Sequence, residues 1–141
     1  MNGLFRGVLP LLIGCVVSAG CSREEQATSA ALPTLAEQIT LGGQIYSQSC
    51  TICHYDGSGN PAAADLKGSA VVAGPPSQVI SIILNGQSGV SMVNGRKLNG
   101  QMPKMSYFSN EEVAAVTAYV RATFADKQEA VDPALVKSLR K

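Results

Sequence analysis

One pentapeptide, Cys50-Thr51-Ile52-Cys53-His54, constrains the fold of this chain more than any other feature. Two cysteines two residues apart, followed directly by a histidine, form the attachment pattern of a c-type haem. Each thiol can form a thioether bond with one vinyl group of the haem, and the histidine then lies under the iron as its proximal ligand. The pattern therefore predicts a domain that folds around one large, flat, covalently bound cofactor.

The same cysteine spacing also occurs in redox disulfides and in halves of zinc sites. A thioredoxin-like disulfide is found in a βαβ context, and the sequence predicts no such alternation of strands and helices. A structural zinc ion needs four protein ligands, but the other cysteines, Cys15 and Cys21, lie in an N-terminal export segment. Spacing and ligand supply therefore favour haem attachment.

The second axial ligand of the iron is constrained because His54 is the only histidine of the chain. Ligation by two histidines of one chain is thereby excluded, and a methionine thioether is the remaining strong candidate. Met102 is favoured because Pro103 biases the residue before it toward an extended backbone, which can present the sulfur from a loop. Met105 is the second candidate. Packing is the alternative for both, and for Met92, because methionine commonly fills gaps in a core.

The first 21 residues predict a lipoprotein-type export signal. Arg6 precedes an apolar run at 7–17, which is shorter than the roughly 20 residues of a membrane span. The small residues before Cys21 resemble a lipoprotein processing site, so Cys21 is the predicted lipidated residue and Cys15 the second candidate. Ordinary cleavage and an uncleaved anchor are the alternatives. Each of them places the protein on the periplasmic or extracytoplasmic side of the membrane.

The rest of the chain predicts a tether, one domain and a tail. Residues 22–33 are small and polar, as in a flexible tether, the domain covers 34–126, and the tail covers 127–141. The tail can form a short helix beginning at Asp132-Pro133, which would pack on the domain or dock to a larger assembly. Without residues 1–20 the formal charge falls from +1 to about zero, which gives no support for nucleic-acid binding.

The domain itself is predicted to be helical. Three segments have helical patterns and end signals: from the capping box Thr34–Glu37 toward Cys50, from Pro75-Pro76-Ser77 to Asn85-Gly86, and from the capping box Ser109–Glu112 to Phe124. Residues 85–101 are rich in Gly and Asn, with turn signals at Asn94-Gly95 and Asn99-Gly100, and we expect a loop there. Roughly 90 residues with few aromatic side chains make a thin core, which a haem would complete.

These features together resemble the class I cytochrome c family over about residues 35–124. The chain looks most like bacterial mono-haem domains that occur alone or as subunits of membrane-bound dehydrogenases and oxidases. The matching positions are Gly42, Tyr46, Cys50, Cys53, His54, Gly57, Gly59, Leu66, Gly86, Met102-Pro103, Ser109, Glu112 and Tyr119-Val120-Arg121. The resemblance implies an all-α fold, with three main helices and loops wrapped around one covalent haem c. Gly42 would let the first helix approach the last one near Tyr119.

Two positions depart from the family pattern. The family usually has glycine directly after the histidine, where this chain has Tyr55, and proline before the leucine of the next loop, where it has Ala64 and Asp65. The carbonyl of Ala64 can still accept the imidazole N–H of His54. Leu66 is expected to pack on the haem face.

Histidine and methionine together would fill both axial positions, which favours outer-sphere electron transfer over substrate chemistry. A thioether ligand raises the reduction potential relative to two imidazoles. We therefore expect a one-electron carrier of a respiratory chain, not an enzyme, with redox proteins as donor and acceptor. The alternatives are a haem c subunit of a membrane-bound dehydrogenase or oxidase, and a haem sensor or peroxidase-like enzyme with a dissociable Met102. The lack of a second histidine counts against peroxidase chemistry.

Four cationic residues are predicted to lie in loops around the rim of the haem crevice: Lys67, Arg96, Lys97 and Lys104. A basic rim could steer an acidic redox partner. An ordinary solvated surface is the alternative.

Overall fold

The computed structural model describes residues 31–141, and within them the chain forms six α-helices, a π-helical turn and a β-hairpin. The elements are α1 Leu35–Ile45, the π-helical turn Tyr46–Cys50, α2 Thr51–His54, α3 Ala70–Ala73, α4 Pro76–Asn85, β1 Gln87–Val93, β2 Arg96–Met102, α5 Asn110–Ala125 and α6 Pro133–Leu139. The predictions for Cys15, Cys21 and the export signal lie outside the described residues. No helix between residues 31 and 141 is long and apolar enough to cross a membrane.

Both predicted capping boxes are present. Glu37 N donates to Thr34 Oγ1 at 3.3 Å while Thr34 N donates to the Glu37 carboxylate at 2.8 Å. The same exchange starts α5, where Glu112 N donates to Ser109 Oγ and Ser109 N to the Glu112 carboxylate. Each box satisfies backbone N–H groups that have no partner within their helix, which fixes where α1 and α5 begin.

The close crossing of α1 and α5 at Gly42 is confirmed. A Cβ at Gly42 would overlap the carbonyl oxygen of Ala115 and lie 2.7 Å from the Cβ of Tyr119. Only a residue without a side chain allows the two backbones to approach this closely. The contact fixes the end of α1 that leads into the haem-binding pentapeptide.

The path from α1 to the pentapeptide passes through the π-helical turn Tyr46–Cys50. Here Thr51 N donates to Tyr46 O, five residues back, so the turn is wider than an α-helical one. Cys50 ends this turn, and Cys53 and His54 lie in the single turn of α2 that follows.

The buried core lies among α1, α4, α5 and the tail. Its largest fully buried side chains are Ile80, Val113, Val116, Thr117 and Val136. Val136 belongs to α6, so this short helix contributes a fully buried side chain to the core of the domain. Gln38 of α1 ties the tail down further, because its side-chain amide exchanges hydrogen bonds with both backbone groups of Val131, at 2.7 and 2.8 Å.

Residues 87–102 form an antiparallel hairpin, and the expectation of a loop at 85–101 is therefore wrong. Asn94 (φ 51°) and Gly95 (φ 75°) form its two-residue turn, as expected of a type I′ hairpin turn. Asn99-Gly100 is not a turn, since it lies inside β2 with Gly100 opposite Gly89. The fold is thus mainly helical with one two-stranded sheet, rather than all-α. The sequence does not predict these strands, because only the side chain of Leu98 is buried among them. Without a buried face, the strand residues show no alternation of apolar and polar side chains.

Candidate haem site

The two thiols of the pentapeptide lie at the edge of the core. Cys50 is half-buried and packs against the core cluster, whereas Cys53 is exposed. Both are free thiols. Burial raises the pKa of the Cys50 thiol to about 11, and the neighbouring Cys53 adds to the shift. The pair is therefore available for two thioether bonds, one at the protein surface and one against the core.

His54 is oriented by a backbone carbonyl. Its Nδ1 lies 3.0 Å from the carbonyl oxygen of Ala64. Since a carbonyl can only accept, Nδ1 carries the proton, and Nε2 is left with a free lone pair for a metal. Ala64 thus supplies the acceptor that the family usually places beside a proline.

Asn60 fixes the loop that carries this acceptor, residues 54–67, which we call the proximal loop. The Asn60 side-chain oxygen accepts from the backbone N–H groups of Ala62 and Ala63, both at 2.8 Å. Its amide nitrogen donates to the carbonyl of Cys53 at 3.1 Å. Sequence reasoning missed this residue, although Asn before Pro61 is a turn signal. One side chain therefore links the second thioether position to the turn that leads into Ala64.

Arg96, at the start of β2, clamps the hairpin onto the proximal loop. Its guanidinium donates to the carbonyls of Asn60 (2.8 Å) and Ala63 (3.1 Å) and forms an ion pair with Asp65 (2.8 Å). Arginine suits this role because its planar fork can serve several oxygen acceptors at once. The sequence predicts Arg96 in a basic rim, whereas in the structure its guanidinium is bound to the loop around Ala64.

A second member of the expected basic rim is also paired. Lys67 Nζ lies 2.7 Å from the Asp56 carboxylate, and hydrogen bonds from Lys67 and Ser58 lower the pKa of Asp56 below its ordinary value. Lys97 and Lys104 are exposed and form no ion pair within residues 31–141. Only half of the four cations are thus free to attract an acidic partner.

Tyr55, where the family usually has glycine, adopts a conformation that favours glycine. It has φ 49° and ψ −126°, and Gly57 N donates to His54 O at 2.8 Å. These values correspond to the second position of a type II′ turn. The Tyr46 hydroxyl donates to the Tyr55 carbonyl at 3.1 Å, and burial raises the pKa of Tyr46, so the donor stays protonated.

The candidate methionines differ in their surroundings. Met102 ends β2, is half-buried and packs against the core cluster, beside a cavity of about 430 Å³ lined by residues 85–88 and 101–104. Met105 is also half-buried, and its N–H donates to Ile83 O at 2.8 Å. Met92 is 65% exposed on β1. Leu66 packs at the edge of the same cluster as Met102 and Met105.

These residues fit a covalent haem. The site offers two free thiols, an imidazole whose Nε2 has no partner among residues 31–141, and thioethers at the core edge, which is the donor set that a haem iron and its vinyl groups require. Several apolar side chains pack against the core cluster and keep part of their surface uncovered, which suits contact with a flat apolar group; among them are Leu66, Val71, Met102, Met105 and Phe108. In the described part of the chain, no three His, Cys, Asp or Glu side chains cluster as ligands of a metal ion.

Comparison with known proteins agrees with this fit. The family model described as cytochrome c oxidase, cbb3-type, subunit III matches residues 37–120, more than half of the chain. A search of curated proteins found no match to this chain. The matched span includes the pentapeptide, the proximal loop, the hairpin and most of α5. The chain therefore belongs to this family of class I cytochrome c-like domains, whose cofactor is a covalently bound haem c.

Proposed function

We propose that this protein is a one-electron carrier, a mono-haem c-type cytochrome in which His54 and Met102 are the axial ligands of the iron. An electron-transfer role follows from the family. The observation that carries the ligand proposal is the hydrogen bond between His54 Nδ1 and Ala64 O, because it leaves Nε2 oriented and unpaired. The position of Met102, half-buried at the core edge and followed by Pro103, supports it as the second ligand.

In this proposal each residue of the site has a distinct task. Cys50 and Cys53 hold the cofactor by thioether bonds, and the Ala64 carbonyl keeps the His54 ring from rotating. Leu66 shields the cofactor from water. When bound, the haem supplies a one-electron ferric/ferrous couple. With His54 and Met102 both bound to the iron, no position would be left for oxygen or peroxide, which favours electron transfer over catalysis.

We further propose that the protein works in a membrane-bound oxidoreductase complex, held at the extracytoplasmic face by a lipid on Cys21 or, as second candidate, Cys15. The family description names an oxidase subunit, which supports the complex over the alternative of a free shuttle. Detergent-solubilised membranes provide the test. Co-purification with a catalytic oxidase or dehydrogenase subunit is the expected result, and isolation as a single lipoprotein would favour the shuttle.

Replacement of Met102 tests the ligand assignment. Met102→Ala should remove the charge-transfer absorption of methionine ligation, lower the reduction potential and let the reduced protein bind carbon monoxide rapidly, because the sixth position opens. Met105→Ala is the matched control, since it removes a thioether at the same core edge, and its spectrum should match the wild type.

Two results would contradict the proposal at different levels. If Met105→Ala changes the spectrum while Met102→Ala does not, the iron ligand is Met105. If the purified protein is colourless and its mass contains no tetrapyrrole, electron transfer by this chain is excluded.

A further inference from the structure

The C-terminal tail reaches back to the stretch of chain that carries both candidate methionines. We call residues 102–110 the distal segment. Arg140, next to the last residue, donates from Nε to Asn110 Oδ1 at 2.7 Å and from Nη1 to Ser106 O at 2.9 Å. Its Nη2 donates to Phe108 O. One guanidinium therefore holds three acceptors spread over five residues of the distal segment.

The tail that carries Arg140 is itself firmly attached. Val131 is 3% exposed and Val136 is fully buried. Gln38 of α1 bonds both backbone groups of Val131, and Asp132 caps α6 by accepting from Ala134 N at 2.8 Å. Burial of apolar side chains and paired backbone groups on both sides makes α6 a fixed base. Arg140 thus connects the distal segment to the core of the domain.

Met102 is anchored at the end of β2, opposite Gln87 in the ladder, but the residues after it have few anchors other than Arg140. Between Met102 and Asn110, the long-range backbone bond is that of Met105 N to Ile83 O, and Phe108 N bonds locally to Met105 O. Within residues 31–141, no side chain other than that of Arg140 donates to the backbone of residues 103–108. Without Arg140, the stretch after Met105 would be held mainly by the partial burial of Phe108.

We infer that Arg140 is a positioning residue for the distal ligand: its fork keeps the distal segment closed and so keeps the Met102 thioether on the iron. The inference rests on the proposed ligation by Met102. It predicts that the tail governs how readily the methionine leaves, although the tail itself contains neither histidine nor methionine. The planar fork is essential, because a lysine has one ammonium group and cannot serve three separated acceptors in a fixed plane.

The test uses the haem-loaded protein with Arg140→Gln and Arg140→Lys, and Lys137→Gln as the matched control. Lys137 lies in α6, three residues before Arg140, is exposed and makes no side-chain hydrogen bond within the described chain. The readouts are the rate of carbon monoxide binding to the reduced protein and the temperature at which the methionine charge-transfer band is lost. Both Arg140 variants should bind carbon monoxide about tenfold faster and lose the band at lower temperature, whereas Lys137→Gln should behave as wild type. Because Arg140→Lys keeps the charge, a shared effect excludes simple electrostatics.

The outcomes separate this inference from the proposed ligation. If Met102→Ala binds carbon monoxide rapidly but Arg140→Gln binds it at the wild-type rate, the positioning role is wrong and the ligation stands. If Met102→Ala itself behaves as wild type, the ligation is wrong and the inference falls with it. Should Arg140→Gln fail to fold, Asn110→Ala, which removes one acceptor, decides: faster binding supports the role, and the wild-type rate overturns it.

Discussion

The proximal loop and the distal segment hold the two candidate ligands in different ways. The proximal loop has bonds within itself, since His54 bonds Ala64 and Asn60 bonds its own turn, and its outside support comes from the hairpin through Arg96. The distal segment depends on distant residues, Ile83 of α4 and Arg140 of the tail. The histidine side therefore needs its own stretch of chain and the hairpin, whereas the methionine side also needs α4 and the tail to be in place.

The hairpin joins these two regions. Arg96 starts β2 on the proximal loop, and Met102 ends the same strand in the distal segment. Changes along β2 therefore test whether the two regions are independent.

The largest effect is expected at Gly100, in the middle of β2. A Cβ there would overlap the Ala62 carbonyl oxygen and lie 2.8 Å from the carbonyl carbon, so Gly100→Ala must push the strand off the proximal loop. We expect a loss of about 3 kcal/mol in the free energy of unfolding, measured by guanidinium titration of the haem-loaded protein.

Gly89→Ala is the matched control for this substitution. Gly89 lies opposite Gly100 in the ladder and has no atom within 4 Å of an added Cβ, but its φ is +89°. It should cost only the strain of that backbone conformation, about 1 kcal/mol. Equal losses in the two variants would mean that the hairpin does not rest on the loop.

A smaller effect is expected for Arg96→Gln. The variant removes hydrogen bonds to two carbonyls and the ion pair with Asp65. Because the guanidinium is partly exposed, we expect a loss of about 1.5 kcal/mol in the same titration. Methionine ligation, monitored by the charge-transfer band, should persist.

Lys97→Gln, one residue further along the strand and exposed, should leave the stability unchanged. If Arg96→Gln and Lys97→Gln are equally stable, the proximal loop needs no support from Arg96. The contrast between the proximal loop and the distal segment would then be sharper.

The smallest effect concerns the proximal loop alone. Tyr55 has φ 49° and ψ −126°, a conformation that suits glycine, so Tyr55→Gly should relieve strain and stabilise the protein by about 1 kcal/mol after the entropy cost of glycine. Thermal unfolding of the haem-loaded protein measures it. Asn94→Gly is the comparison, because Asn94 has a similar φ of 51° in a left-handed turn that asparagine tolerates. Since this variant also loses the hydrogen bond from the Asn94 amide to Lys67 O, it should be destabilised by about 1 kcal/mol. A destabilised Tyr55→Gly would show that packing of the phenol ring outweighs the strain.

The parts of this molecule that could be predicted from sequence depend on neighbouring residues. Both capping boxes follow from a hydroxyl residue and a glutamate three positions later. The crossing at Gly42 and the acceptor at Ala64 followed from the family resemblance, because each depends on one position at a fixed distance from the pentapeptide. The departure from the family pattern at Tyr55 also could have indicated strain, since a position that is usually glycine often has an unusual backbone conformation.

The remaining features depend on contacts between distant residues, which leave no periodic signal. Most side chains of both hairpin strands are exposed, so their sequence does not alternate between apolar and polar residues. Arg96 looked like a surface cation because its acceptors are backbone carbonyls, which every residue has. Arg140 is similarly inconspicuous: its partners lie 30 or more residues away, and only the folded tail brings them together.

The π-helical turn at Tyr46–Cys50 determines the direction in which the haem-binding pentapeptide is aimed. An α-helix advances about 100° per residue, so the additional residue in this turn rotates all that follows by roughly that angle relative to the face that α1 buries on α5. If the same residues were wound as an α-helix throughout, an intact Cys-x-x-Cys-His would be swung through about a quarter of a circle. The orientation of the two cysteines and the candidate iron ligand His54 is thus encoded upstream of the motif, in the pitch of the helix that leads into it.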